Sequence, residues 1–368
     1  MRNLVIAAGV LAGGTTAAVS GGIDRSGQNL NIIFEPGNYA EFSYGRVKPE
    51  VSGSQILALG PFPAGAKSGD MSGDYSTFSF GIKVEVNDKI DLAFIIDQPI
   101  GADVNYPADT GYAYGGSTAT LDNTAMSAVL RYKIDNNFSV LGGLRLSSLA
   151  GEVALFNGYT LDAQKDLQMG YILGAAYERP DIAMRVSLTY NSAITHELDT
   201  VEFGFPSTPF ETTIPQSLTL DAQTGIAADT LLFGSIRWVD WSEFDVAPAL
   251  YVAAVGEPLV YYQSDTITYT AGLGRRFTDN WSGAFTLGYE DQNNDLTGNL
   301  GPTDGVMFAG LGLTYTIDRV KISGGVRYFK LGDAQSRAPS PPYPPNTPFG
   351  DFTDNSGYAF GLKVGYSF

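Results

Sequence analysis

Apolar and polar residues alternate along the C-terminal stretch, residues 357–368. A period of two places the two sets on opposite faces of a β-strand. A strand that is apolar on one face and ends the chain on an aromatic residue is typical of the closing strand of a bacterial outer-membrane barrel. The apolar set is Tyr358, Phe360, Leu362, Val364, Tyr366 and Phe368.

The same alternation recurs along the chain, for example at 78–86, 182–190, 267–274 and 307–317. Short connections rich in Asn, Asp and Pro, which favour tight turns, lie at 87–89, 135–137, 179–181, 228–230, 278–280 and 317–319. Longer loops are expected near 49–74, 100–119, 154–164, 196–214, 246–263, 292–303 and 332–355.

This spacing predicts an all-β fold: a closed antiparallel transmembrane β-barrel of about fourteen strands over residues 38–368, with short turns on the periplasmic side. A soluble sandwich or propeller would have shorter strands, and its alternate positions would be buried instead of facing lipid. Closure also removes the open sheet edges that cannot lie in lipid.

The N-terminal part precedes the predicted barrel. Residues 1–18 have the features of a signal peptide: a positive charge at Arg2, an apolar run over 4–11 and small residues at 16–18. Residues 19–37 then form a short segment that either hangs in the periplasm or plugs the lumen, and its apolar patch favours the lumen. The predicted hatch residues are Ile32, Ile33, Phe34, Glu35, Pro36 and Gly37.

Composition narrows the possible functions. A net charge of −17 and a pI of about 4.3 argue against nucleic acid as a partner. The chain has 1 His and 0 Cys, and it contains no phosphate loop, zinc spacing or dinucleotide fingerprint. Ser192 has the parity of His196 but lies too far along the strand for a nucleophile–base pair, and His196 is expected at a loop edge. We therefore expect no enzyme, no metal and no cofactor.

In this acidic chain, the alternate strand positions that face away from lipid include many basic residues. Arg145, Arg237 and Arg327 lie near mid-barrel when counted from the nearest periplasmic turn. Guanidinium groups pair bidentately with carboxylates, so one hypothesis is that these arginines bind a ligand carboxylate. The alternative is that they pair with lumen acids and join strands. The whole set is Lys83, Arg131, Lys133, Arg145, Arg185, Arg237, Arg327 and Lys363.

The predicted third strand loses its alternation at Asp97, Gln98, Pro99 and Gly101. Proline donates no amide hydrogen to a ladder, and glycine relaxes the backbone. This weak point is either a lateral gate or the outer end of the strand.

Aromatic residues concentrate in the predicted outer loops. They form part of an interfacial girdle or a ligand-catching groove. They are Tyr112, Tyr114, Phe203, Phe205, Phe210, Tyr251, Tyr261 and Tyr262.

Three segments resemble the FadL family of outer-membrane transporters. Residues 214–220 (IPQSLTL) are similar to a family segment that opens the eighth strand, and 238–244 (WVDWSEF) to a segment that ends the ninth. The interrupted third strand, followed by Tyr106-Pro107, is similar to the irregular third strand of the family. One departure is that Glu35-Pro36-Gly37 stands where members carry Asn-Pro-Ala, in a shorter N-terminal segment.

The resemblance implies passive uptake of hydrophobic compounds, most of all long-chain fatty acids, with aromatic hydrocarbons as the other known class. It implies capture among the outer loops, binding in the lumen and lateral exit near the third strand. The expected partners are the hydrophobic ligand and outer-membrane lipid, and the expected state is a monomer. A general or anion-leaning diffusion porin is the alternative function, and an inert structural or adhesive barrel is another.

Overall fold

The computed structural model describes residues 23–368. The predicted signal peptide, 1–18, and the first part of the predicted plug, 19–22, lie outside the described residues. Within 23–368 the chain forms one closed antiparallel barrel of 14 passes, which confirms the predicted fold class. Closure is direct, because the first strand pairs with the last along its whole length, from Tyr39↔Ser367 to Glu50↔Ser356.

The strands follow in chain order: β1 Tyr39–Glu50, β2 Gly53–Gln55, β3 Tyr75–Asn87, β4 Ile90–Asp97, β5 Gly101–Asn105, β6 Thr118–Lys133, β7 Phe138–Ala154, β8 Thr160–Arg179, β9 Met184–Asn191, β10 Ile194–Glu202, β11 Phe205–Ile214, β12 Ser217–Ala227, β13 Thr230–Val239, β14 Asp245–Val246, β15 Val260–Tyr261, β16 Thr266–Arg276, β17 Trp281–Glu290, β18 Val306–Ile317, β19 Val320–Leu331, β20 Ala334–Arg337, β21 Pro348–Phe352 and β22 Ser356–Ser367. The helix α1 spans Ala249–Val255, and 3₁₀ turns span Asn31–Phe34, Ala108–Thr110, Pro180–Ile182 and Trp241–Glu243. No helix among these is long and apolar enough to cross a membrane.

Three of the passes are interrupted. The third consists of β4 and β5, the seventh of β9 and β10, and the eighth of β11 and β12. Short strands β2, β20 and β21 form a small sheet in the loops, and β14 pairs with β15. The interruption between β4 and β5 falls on the predicted weak point of the third strand.

Alternation decides which face of each strand meets lipid. In β22, Phe360 and Leu362 are exposed on the outer wall, whereas Lys363 is 4% exposed and points inward. The same holds around the barrel, where the exposed large residues are mostly the apolar members of each alternating set. The outer wall is therefore an apolar band, and the lumen holds the polar and charged side chains.

The long loop predicted over 196–214 is wrong, because β10 and β11 form an extended hairpin there. The hairpin still alternates, but its inward residues are buried and its outward residues, such as Glu197 and Glu211, are polar and exposed. These strands rise beyond the lipid band into water, where an outward polar face costs nothing. The polarity pattern therefore resembles that of a loop.

Candidate functional site

The described part of the N-terminal segment, residues 23–37, lies inside the barrel. Its 3₁₀ turn Asn31–Phe34 buries Ile32 and Ile33. Both pack against inward apolar side chains of the wall, such as Val129 and Ile172. The apolar patch thus contacts the lumen wall instead of periplasmic water, which supplies the burial that holds so short a segment in place.

Polar contacts fix the lower end of this segment. Glu35 Oε2 lies 2.9 Å from Lys321 Nζ. The Gly37 carbonyl accepts a hydrogen bond of 2.8 Å from Lys83 Nζ. Pro36 is exposed, and Gly37 has a φ of 64°, which lets the chain turn from the lumen into β1. Two buried lysines of the wall thereby hold the junction between plug and barrel.

Phe34 lies between two arginines of the lumen. The guanidinium carbon of Arg131 is 4.7 Å from the ring centroid, and that of Arg185 is 4.3 Å away. Arg185 also donates to the Asn31 side-chain oxygen. These cation–π contacts place the aromatic ring of the plug against cations that the sequence assigned to the lumen.

The upper end of the segment, residues 23–26, pairs with the interrupted third pass; we name it the arm. The Pro99 carbonyl accepts hydrogen bonds from the amides of Arg25 (2.7 Å) and Ser26 (3.3 Å), and the Gly101 amide donates to the Ile23 carbonyl (2.9 Å). Backbone of the arm therefore occupies hydrogen-bonding positions that the break between β4 and β5 leaves open.

Side chains add to this pairing. Ser26 Oγ donates to Asp97 Oδ2 at 2.8 Å, and Arg25 lies 3.6 Å from Asp103. A Cβ atom at Gly101 would come within 2.5 Å of the Arg25 guanidinium. A side chain at position 101 would therefore displace the Arg25 guanidinium from its present place.

The ladder between β3 and β4 ends at the pair Phe80↔Ile96, just below the break. The Gln98 side chain replaces one acceptor of this ladder, since its Oε1 accepts a hydrogen bond from the Phe78 amide. A cavity at this point is lined by lumen residues and also by lipid-facing residues such as Phe78 and Phe360. The ladder of the wall is therefore incomplete where the arm lies against it.

A cavity of about 130 Å³, with both polar and apolar side chains in its lining, occupies the middle of the lumen. Its lining includes Arg185, Arg237 and Arg327. Arg237 forms an ion pair with Asp24 of the arm, and the Arg327 guanidinium carbon lies 4.2 Å from the centroid of the Phe308 ring. Two of the three predicted arginines thus meet at one cavity.

Arg145 lies elsewhere. It is 4% exposed and does not line this cavity. Its Nε donates to Ser127 Oγ and its Nη1 to Asn191 Oδ1, each at 2.9 Å. Both partners belong to the barrel wall, so Arg145 joins strands β6, β7 and β9.

A second cavity, in the outer half of the barrel, is predominantly apolar. Ile23 of the arm contributes to its lining, so this cavity and the arm are in direct contact. Burial raises the pKa of Tyr261 and of Tyr262, so both phenols stay neutral. The main apolar lining is Ile23, Leu161, Leu198, Phe210, Phe244 and Tyr262. We name it the outer cavity.

The predicted outer aromatics divide between different environments. Phe210, Tyr261 and Tyr262 line the outer cavity. Tyr112 and Tyr114 are buried in a separate apolar core. Sequence reasoning thus found part of the cavity but missed its aliphatic lining. It included the arm in the predicted hatch, residues 19–37, but did not single out residues 23–26 or their pairing with the third pass.

The single histidine differs from its expected position. His196 is fully buried within β10, and its Nδ1 lies 3.1 Å from Asp166 Oδ2. Ser192 Oγ accepts a hydrogen bond from the Tyr171 amide. The expectation of a loop-edge histidine is therefore wrong. Between residues 23 and 368, no group of three or more His, Cys, Asp or Glu side chains is arranged to hold a metal ion.

Comparison with known proteins bears on the whole barrel. Residues 36–368 match the family model described as "Outer membrane protein transport protein (OMPP1/FadL/TodX)". Comparison with curated proteins finds no match.

Solved structures show the same fold. A FadL homologue from Pseudomonas aeruginosa superposes with a TM-score of 0.75 at 14% identity, covering 92% of each chain. The toluene transporter TodX of P. putida gives 0.64 at 11% identity, again over 92% of each chain. The CymD monoaromatic hydrocarbon channel gives 0.58 at 12% identity, over 90% of this chain and 88% of that one.

Proposed function

This chain belongs to the outer membrane protein transport family (OMPP1/FadL/TodX), and on that premise we propose that it takes up long-chain fatty acids passively. The family consists of transport channels, and the chain is an outer-membrane channel for hydrophobic compounds. The more specific assignment, to amphipathic acids and to a lateral route, rests on the geometry of the two cavities and the arm.

The observation that supports the proposal is the order of the two cavities along the lumen. The outer cavity is apolar and suits an alkyl chain, whereas the cavity below it presents Arg185, Arg237 and Arg327. Ile23 of the arm lines the outer cavity, and Asp24 pairs with Arg237, which lines the middle cavity. An acid whose chain lies in the first cavity has its carboxylate recognised in the second.

Exit through the wall fits the position of the arm. Each methylene group exposed to water costs about 0.8 kcal/mol, so a long alkyl chain leaves a lumen more easily into lipid than into periplasm. The cavity at the break reaches the lipid-facing residues Phe78 and Phe360. Displacement of residues 23–26 from Pro99 would connect this cavity with the lumen. In this proposal Asp97, Gln98, Pro99 and Gly101 form the lateral gate, and residues 19–37 form the hatch.

Uptake of oleate and of toluene by cells producing the Arg327→Met variant tests the fatty-acid assignment. A hydrogen bond to a charged group contributes about 1.5–3 kcal/mol, so we expect oleate uptake to fall about tenfold or more while toluene uptake is unchanged. Arg319→Met, at an exposed periplasmic turn, is the control. Equal losses for both compounds would contradict the assignment to acids and favour neutral hydrocarbons.

An anion-leaning porin is the second candidate, favoured by the cationic lining of the middle cavity. Single-channel conductance in a planar bilayer separates the two, measured for the mature protein and for a deletion of residues 21–37. A silent parent that conducts after the deletion supports a plugged uptake channel. Steady conductance of the intact protein supports the porin.

A further inference from the structure

A groove crosses the lipid-facing surface of β16–β19, on the periplasmic half of the barrel. It is lined by outward apolar side chains, among them Leu273, Phe285, Leu311 and Val326. Its lower end lies beside the turn that joins β16 to β17, where Arg275 and Phe277 complete the lining. The smooth apolar band of the barrel is interrupted here by a defined depression.

Register explains the depression. Arg275 is paired with Gly283, Gly283 with Leu313, and Leu313 with Gly324. Adjacent outward rows carry large side chains, so the glycine at position 324 leaves a notch beside Leu313. The space at Gly283, by contrast, is filled by the side chains of Phe277 and Leu313. A Cβ at Gly324 would have only the Gly361 carbonyl oxygen within 4 Å, at 3.9 Å. The notch at Gly324 is therefore open and is not filled by a neighbour.

A cation stands at the end of the groove. Arg275 is exposed on the outer wall and donates from Nη1 to Thr230 Oγ1 at 3.0 Å. It forms no salt bridge with any residue of 23–368, whereas its neighbour Arg276 pairs with Asp229. Basic residues on the lipid face are costly except near the interfaces, and Arg275 is next to the last residue of β16.

Aromatic residues mark the interface at the same level. Trp281 and Tyr315 are cross-strand partners with ring centroids 4.8 Å apart. Such residues lie at the head-group level of a membrane. Arg275 therefore meets the phosphate layer of the periplasmic leaflet.

We propose that this groove binds one anionic phospholipid of the periplasmic leaflet, with an acyl chain along the notch at Gly324 and the phosphate on Arg275. Burial of acyl chains alone gives the groove no preference for one lipid over another, because the tails of bulk lipid are as apolar as the groove. The preference for an anionic phospholipid comes from the shape of the groove and from the guanidinium, whose fork matches phosphate geometry. The site lies on the outer wall and is independent of the proposed transport route.

Native mass spectrometry of the full mature protein in detergent tests the site, after delipidation and titration with phosphatidylglycerol or phosphatidylcholine. We expect one phosphatidylglycerol molecule to bind in preference to phosphatidylcholine. Arg275→Leu should weaken that binding about fivefold, the effect of one basic residue at an anionic membrane surface. Gly324→Leu should weaken it too, because the leucine fills the open notch without a clash.

Two matched variants control for charge and for shape. Arg319→Leu removes a cation from another periplasmic turn, and Gly142→Leu fills a lipid-facing glycine on β7 with nothing within 4 Å of its Cβ. Both should bind phosphatidylglycerol as the parent does, and all four variants should keep the folded mobility of the barrel on gels. Equal binding of the two lipids, or equal losses in the controls, would overturn the proposal. A dimer that Gly324→Leu abolishes would also overturn it, since the groove would then be an interface between two copies.

Discussion

The carboxylate of Asp24 forms an ion pair with the guanidinium of Arg237, and this contact joins the arm to strand β13. The Asp24 side chain is 1% exposed and that of Arg237 is 11% exposed. Removing one partner of such a buried pair leaves an uncompensated charge, at a cost of about 3–5 kcal/mol. The arm is thus tied at one end to the break in the third pass and at its centre to a wall strand beyond the middle cavity.

Asp24→Asn should release the arm from the break. Arg237 loses its main counter-charge while the like charge of Arg145 still acts on it, so the conformation with the arm in place becomes less favourable. We expect the variant to show conductance openings in a planar bilayer that the parent lacks. Asp162→Asn, an exposed carboxylate on β8, should behave as the parent.

A double variant tests whether the two residues act on each other. If the ion pair holds the arm, Asp24→Asn combined with Arg237→Gln should change conductance by less than the sum of the single effects, because residues in contact couple by about 0.5–3 kcal/mol. Additive effects would show that each residue acts through other partners.

Gly101→Val should displace Arg25. The added side chain begins 2.5 Å from the guanidinium, so the Arg25 side chain has to move and its contact with Asp103 is weakened. We expect faster uptake of hydrophobic ligand and an increase in conductance. Gly142→Val, where a Cβ meets nothing within 4 Å, is the matched control, and a parental phenotype for Gly101→Val would argue against close contact of the arm.

A disulfide between Ser26→Cys and Asp97→Cys should lock the arm to β4. The two side chains are already within hydrogen-bonding distance, 2.8 Å, and the chain has 0 Cys of its own, so no competing bridge forms. Oxidation should stop ligand uptake and dithiothreitol should restore it. Uptake that continues with the bridge formed would exclude movement of the arm as a step in transport.

Leu198→Asn should impair the outer cavity without touching the arm. The leucine is 2% exposed and faces other apolar lining, and an amide placed there lacks a partner, at a cost of about 1–3 kcal/mol. Uptake at low ligand concentration should fall about tenfold. Phe205→Asn, at the exposed tip of the β10–β11 hairpin, should leave uptake unchanged.

Sequence alone predicted those parts of the molecule that lipid constrains. Phe360 and Lys363 lie on the faces that their parity assigned to them, because a charged side chain is costly at a lipid-facing position away from the interfaces. The hairpin of β10 and β11 was not predicted, because its outward side chains face water instead of lipid. Residues such as Glu197 and Glu211 can therefore be polar, and the apolar alternation that marks a membrane strand is missing.

The lumen was predicted less completely, because parity gives the direction of a side chain and not its partner. Arg145 and Arg327 have the same parity and similar depth, yet Ser127 and Asn191 bind the first within the wall while the second lines a cavity. Asp24 lies in a segment whose residues do not alternate, so no sequence pattern could predict its pairing with Arg237.

Pro99 has a consequence for the kinetics of the barrel. Since proline brings no amide hydrogen, the wall at this point has no complete ladder to break, and its closure depends on a few hydrogen bonds from a segment that is not part of any barrel strand. Rearrangement of such a segment belongs to the timescale of loop motions, well below that of unfolding. If movement of the arm opens the proposed lateral route, substitutions in the arm should change the transport rate more than they change the melting temperature.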